Sequence, residues 1–138
     1  MNLDTLKSQL KQHEGFKATA YKCPAGKLTI GYGRNIENKG VTEEEAEYLL
    51  ENDIEECFED LDKIFKNQFF LFPESAQFVF VDMRLNLGSQ GFRGFKNMIA
   101  AAKKLDWKAV KAAMINSHWY LQVGERGMNL VAMIGGLI

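Results

Sequence analysis

The spacing of apolar positions changes character twice along the chain. Leu3, Leu6 and Leu10 share one face of a short helix predicted over residues 3–12. Residues 16–33 lose that period. Aromatic and β-branched residues appear, glycines cluster, and "CPAG" has turn chemistry. Strands are predicted near 17–22 and 27–32, joined by a turn at Pro24–Gly26. Helical spacing then returns with Ala46, Leu50, Ile54, Cys57, Leu61, Ile64 and Phe65, which predicts one helix from Thr42 to Phe65. Its start is marked: Thr42 can cap the first-turn amides, and Glu45, three residues on, completes a capping box. The early glutamates suit the positive end of the helix dipole. Cys57 lies on the apolar stripe and reads as a small core hydrophobe.

"ESAQFVFVDMRLNLG" is apolar nearly all round, so a helix buried on most sides is expected, with Gly88 as its stop. Asp82, Arg84 and Asn86 interrupt it. A buried polar group needs a partner or must face a cleft. A further helix is predicted over 92–105, with Phe95, Met98, Ile99 and Ala102 inward. Asp106 can cap the next, with Trp107, Val110 and Met114 inward, and a last short helix falls around 125–134. The sum is an α+β protein, mainly α, with its small β region near the start and no βαβ alternation.

Composition adds bounds. A chain of 138 residues suits one compact domain, in which two lobes can be accommodated, and ten Phe supply ample core material. No run of about 18 apolar residues exists, so stable membrane insertion is not expected. The start lacks the apolar region of a secretory signal, so synthesis as a soluble cytoplasmic protein is expected. Two cysteines make neither a disulfide framework nor a CxxC metal spacing, and His13 and His118 lie far apart. No metal site is expected.

Net charge is −1, but residues 37–62 hold twelve acidic residues against Lys39 alone, and the flanks are basic. Basic segments meeting across a cleft would favour an anionic polymer. For most of the acidic run the simpler reading is a solvated helix face. Nucleic-acid binding lacks both net positive charge and a recognisable module.

The chemistry concentrates in "HEGFKATAYKCPAGKLTIGYG", residues 13–33. Glu14 closes the first helix just before Gly15. A carboxyl among apolar and aromatic residues is a candidate general acid, although a lone Glu is more often a solvated surface residue. Thr29 taken alone is a strand former, and Cys23 a half-buried turn residue.

The spacing changes that reading. Glu14, eight intervening residues, Cys23, five intervening residues and Thr29 resemble the Glu–Asp/Cys–Thr arrangement of the phage lysozyme, or endolysin, family. "GVTEEEAEYLLENDI" resembles that family's inter-lobe helix start, and "LNLGSQGFRGF" and "HWY" with the following "ER" resemble its C-terminal lobe. The resemblance covers nearly the whole chain in order. It implies a lysozyme-like fold over 1–138. A β-containing lobe would span about 13–40 and a connecting helix about 42–65. A helical lobe of about 66–138 would include the N-terminal helix, and peptidoglycan would lie in the cleft between lobes. It also implies a muramidase acting on the β-1,4 bond between N-acetylmuramic acid and N-acetylglucosamine. No cofactor is implied, and a monomer is the default. Synthesis in the host cytoplasm would be followed by release to the cell wall through a holin-type pore.

By resemblance, Glu14 is the general acid, Cys23 the second catalytic group and Thr29 a polar partner for its water. Arg126 falls where the family places a cation paired with the acid. Asn86 and Trp119 fall at positions near the cleft, and these three are taken as substrate-binding.

Cys23 is the departure, since glycosidases usually employ two carboxyl groups. A free thiol titrates near pH ~8.5, so at neutrality only a small fraction is thiolate unless its surroundings, such as Lys22 or Lys27, lower that value. Three readings stand. Cys23 acts as a thiolate that assists water or stabilises oxocarbenium charge; it only holds a water; or the protein binds the wall without cutting it. Cysteine-nucleophile chemistry with His13 or His118 ranks last, because nucleophile and base must lie within hydrogen-bond reach.

Overall fold

A computed structural model describes all of residues 1–138. The chain divides into two compact units, Met1–Leu49 and Leu50–Ile138.

The first unit opens with α1, Leu3–Glu14, capped by Asn2, whose side chain accepts from the Thr5 amide at 3.1 Å. The sheet follows: β1 (Lys17–Lys22), β2 (Leu28–Gly31) and β3 (Arg34–Asn35), antiparallel in the order β1-β2-β3. Both expected strands are present. Tyr21 pairs with Thr29 and Lys22 with Leu28, and the register shifts between Lys17 and Tyr21. The third strand is unforeseen. It has two residues and exists because Ile30 and Thr29 offer it a ladder.

Thr29 is the only buried residue of this unit, so order here rests on polar contacts more than on a core. The main one is a two-pronged pair: Arg34 Nη1 and Nη2 donate to Glu45 Oε1 and Oε2 at 2.9 and 2.6 Å. Arg34 also donates to the Gly40 carbonyl at 3.1 Å. Glu45 thus ties β3 to the first turn of α2 (Glu43–Ile64) while closing the expected capping box. The Thr42 amide donates to Glu45 Oε1 at 2.8 Å, and the Glu45 amide to Thr42 Oγ1 at 3.1 Å. The Arg34 hydrogen bond, with those from Thr42, holds the Glu45 carboxyl down at about 2.

The second unit begins within α2 and adds α3 (Glu74–Arg93), α4 (Lys96–Lys103), α5 (Trp107–Ile115), α6 (His118–Val123) and α7 (Glu125–Gly135). A short 3₁₀ turn, Phe69–Leu71, precedes α3. The whole apolar core lies here. Phe65 stacks on Phe80 at 5.1 Å between ring centres and meets Phe72 edge-on at 5.0 Å. Cys57 is in this core, as its position on the stripe implies. Asp106 caps α5 by accepting from the Ala109 amide at 3.1 Å, as foreseen.

Gly88 ends the first helical stretch of α3, as expected: it takes φ 76° and ψ 173°, a conformation essentially restricted to glycine, and a second helical stretch follows the kink to Arg93. Two expectations need correction. The helix expected over 92–105 therefore begins only at Lys96, because residues up to Arg93 belong to α3. Finally, α3 is not buried on most sides. Ala76, Val79, Phe80 and Met83 face the core, whereas Phe78, 57% exposed, and Leu85 line an open groove of about 580 Å³. The apolar composition of α3 serves two surfaces, one packed and one open.

The polar residues of α3 find partners. Arg84 Nε donates to Asp60 Oδ2 at 2.6 Å, and Arg93 Nη2 lies 2.7 Å from Asp60 Oδ1. Arg84 also lies 3.6 Å from Glu56. Asp60 is thus an exception to the solvated acidic face. Burial pushes its carboxyl up, but hydrogen bonds from Arg93, Arg84 and Ser89 outweigh this and hold it at about 2. No helix is long and apolar enough to cross a membrane.

Candidate active site

Glu14 is the last residue of α1, and its location follows from how that helix ends. Gly15 takes φ 73° and ψ 154°, its amide donates back to the Lys11 carbonyl at 2.8 Å, and the chain leaves directly into β1. The carboxylate is exposed and rests on Gly33 in the turn between β2 and β3. Tyr32, beside that glycine, holds the turn against the end of α1: its ring lies 5.6 Å from Phe16 and 5.4 Å below Lys11 Nζ.

Cys23 and Thr29 are brought together by the turn between β1 and β2. The Cys23 amide donates to the Lys27 carbonyl at 3.0 Å, and the Gly26 amide donates to the Cys23 carbonyl at 2.8 Å. Thr29, 3% exposed, donates its hydroxyl to the Lys27 carbonyl at 2.9 Å. The thiol is half-buried. Backbone amides of Lys27 and Ala25 hold it below the usual thiol value; desolvation opposes them, and the Thr29 hydroxyl adds to them. The cause differs from the one the sequence suggests. The amide of Lys27 does the lowering, while its ammonium lies 3.4 Å from Glu37. Donors aimed at a sulfur favour its thiolate, which is the form that accepts a proton or steadies positive charge. None of the groups that lower this thiol is a histidine.

In the second unit, Asn86 and Trp119 meet: Trp119 Nε1 donates to Asn86 Oδ1 at 3.1 Å. Arg126 engages Asp82, its Nε donating to Oδ1 at 2.7 Å and its Nη2 to the Asp82 carbonyl at 3.3 Å. The three polar interruptions of α3 thus each have a partner: Asp82 in Arg126, Arg84 in Asp60, Asn86 in Trp119. Sequence reasoning missed Gly33 and the Arg34–Glu45 pair. The doubled glycine of "GYG" was the available signal for the first.

A small antiparallel sheet, with Cys23 just after β1, Thr29 on β2 and Glu14 at the preceding helix end, together with a separate helical unit, defines an α+β protein, mainly α. Residues 11–132 match the phage lysozyme family, and the chain belongs to that family. It is also similar to an endolysin of Acyrthosiphon pisum secondary endosymbiont phage 1, 44% identical over 48 residues, covering 33% of each chain. The aligned part is therefore about a third of that relative's length.

Proposed function

We propose that the protein is an endolysin that hydrolyses peptidoglycan as a muramidase, cutting the β-1,4 bond between N-acetylmuramic acid and N-acetylglucosamine to lyse the host. Family membership across residues 11–132 supports lysozyme-type chemistry. The observation that carries the site assignment is Cys23 placed by its turn beside Thr29, with its thiol lowered chiefly by the Lys27 and Ala25 amides, in the unit that also presents Glu14.

In this reading the Glu14 carboxylic acid donates its proton to the leaving glycosidic oxygen. Positive charge develops on the sugar ring as that bond breaks. Cys23 as thiolate steadies this charge or takes the proton of the attacking water. Thr29 fixes the sulfur and its water, so that the hydroxyl works on Cys23 rather than on the sugar. Asn86 and Arg126 bind the glycan; Trp119, expected from the sequence to bind it too, is 4% exposed and instead holds Asn86 through its indole N–H. The polymer acts as substrate with no nucleic acid or cofactor taking part, and the chain works as a monomer.

The thiol in place of a second carboxylate favours one rival, a non-catalytic wall-binding protein. Mass analysis of fragments from purified peptidoglycan separates them. New muramic-acid reducing ends support the muramidase. Pelleting with wall but no fragment release supports the binder. Cleavage of amide bonds would replace both with cysteine-nucleophile chemistry.

A further inference from the structure

We infer that Gly33 is a positioning residue for Glu14: the absent side chain at Gly33 is the space that the Glu14 carboxylate occupies. This rests on the reading of Glu14 as the general acid. A β-carbon added at Gly33 would lie 2.5 Å from Glu14 Oε2, 2.7 Å from Cδ and 3.2 Å from Cγ. Such contacts lie well inside van der Waals separation. The turn cannot retreat freely, because Tyr32 is held against both Phe16 and Lys11 at the end of α1. The carboxylate, at the tip of a flexible side chain, is the part that yields.

The molecule holds its own control. Gly31 and Gly33 flank Tyr32 and both have positive φ, 68° and 74°, but a β-carbon at Gly31 meets nothing within 4 Å. Alanine at either position imposes similar backbone strain. Only alanine at 33 displaces Glu14.

The test compares Gly33→Ala with Gly31→Ala on peptidoglycan, with thermal unfolding of both and carbon NMR of the Glu14 carboxyl. Similar losses of thermal stability are expected. For Gly33→Ala, kcat falls on the order of ten- to a hundredfold with KM within about twofold, as for a misplaced catalytic group. The pH–rate profile and the Glu14 resonance shift in that variant alone. Equal effects of the two substitutions on kcat and on the resonance would overturn the inference, as would a moved resonance with unchanged kcat. A wild type without hydrolysis would remove the muramidase reading instead, leaving the resonance to decide whether Gly33 sets the carboxylate's place.

Discussion

Trp119 donates its indole N–H to the Asn86 side-chain oxygen at 3.1 Å, joining α6 to α3 two residues before the Gly88 kink. Trp119 is 4% exposed, and its ring meets Phe95 edge-on at 6.0 Å. The indole N–H therefore depends on Asn86 as its partner in the protein. Replacing Asn86 with Leu should cost about 1–3 kcal/mol, the scale for leaving a buried donor without its partner. Urea unfolding measures it. A double-mutant cycle with Trp119→Phe should show positive coupling; strictly additive losses would mean that the bond contributes nothing.

Asp60 gives the second unit a defined acid sensitivity. Its folded value of about 2 lies below the ordinary carboxyl value, because the bonds from Arg93, Arg84 and Ser89 exceed the opposing desolvation. Stability from this depression is present above the unfolded value of about 3.9 and is lost as pH falls through about 2. The shift corresponds to about 2 kcal/mol at neutral pH. The stability gap between wild type and Asp60→Asn should shrink as pH falls from neutrality to 2 in chemical denaturation. A gap independent of pH would contradict this assignment.

The two cysteines should differ sharply in reactivity. Cys23 is half-buried with its thiol lowered by the Lys27 and Ala25 amides, whereas burial pushes the Cys57 thiol up in the core. Iodoacetamide on the folded protein should label Cys23 and spare Cys57, located by peptide mass analysis. The pH midpoint for labelling should lie below that of a free thiol, about 8.5. Thr29→Val, which removes the hydroxyl that contributes to lowering this thiol, should raise that midpoint. An unchanged midpoint in the variant would separate Thr29 from the thiol.

Much of this was legible in residue spacing. The capping box at Thr42 and Glu45 marked the start of α2, and the glycine-rich segment gave β1 and β2 nearly to their ends. What escaped depends on distant partners. Arg34–Asn35 has no strand signal of its own and is a strand because β2 pairs with it. Gly88 marked a break, but that the chain re-enters helix, placing Arg93 on Asp60, is a tertiary result. The short α6 had only Ser117 as a herald, whose hydroxyl accepts from the Tyr120 amide at 3.1 Å. For the site, the resemblance to the phage lysozyme family, carried by the spacing of Glu14, Cys23 and Thr29, pointed to those residues. The source of the thiol's lowering was misjudged, because backbone amides leave no trace in side-chain identity.

The central claim is that Glu14 supplies the proton for glycosidic cleavage. Its most direct test is reducing-end release from purified peptidoglycan by wild type and Glu14→Gln, matched for folding and wall binding. Glutamine keeps the side chain's size and removes the acidic proton. Loss of at least about a hundredfold in rate, the scale of general acid catalysis, with wall binding intact, is the predicted result. Turnover by Glu14→Gln at the wild-type rate would contradict the account.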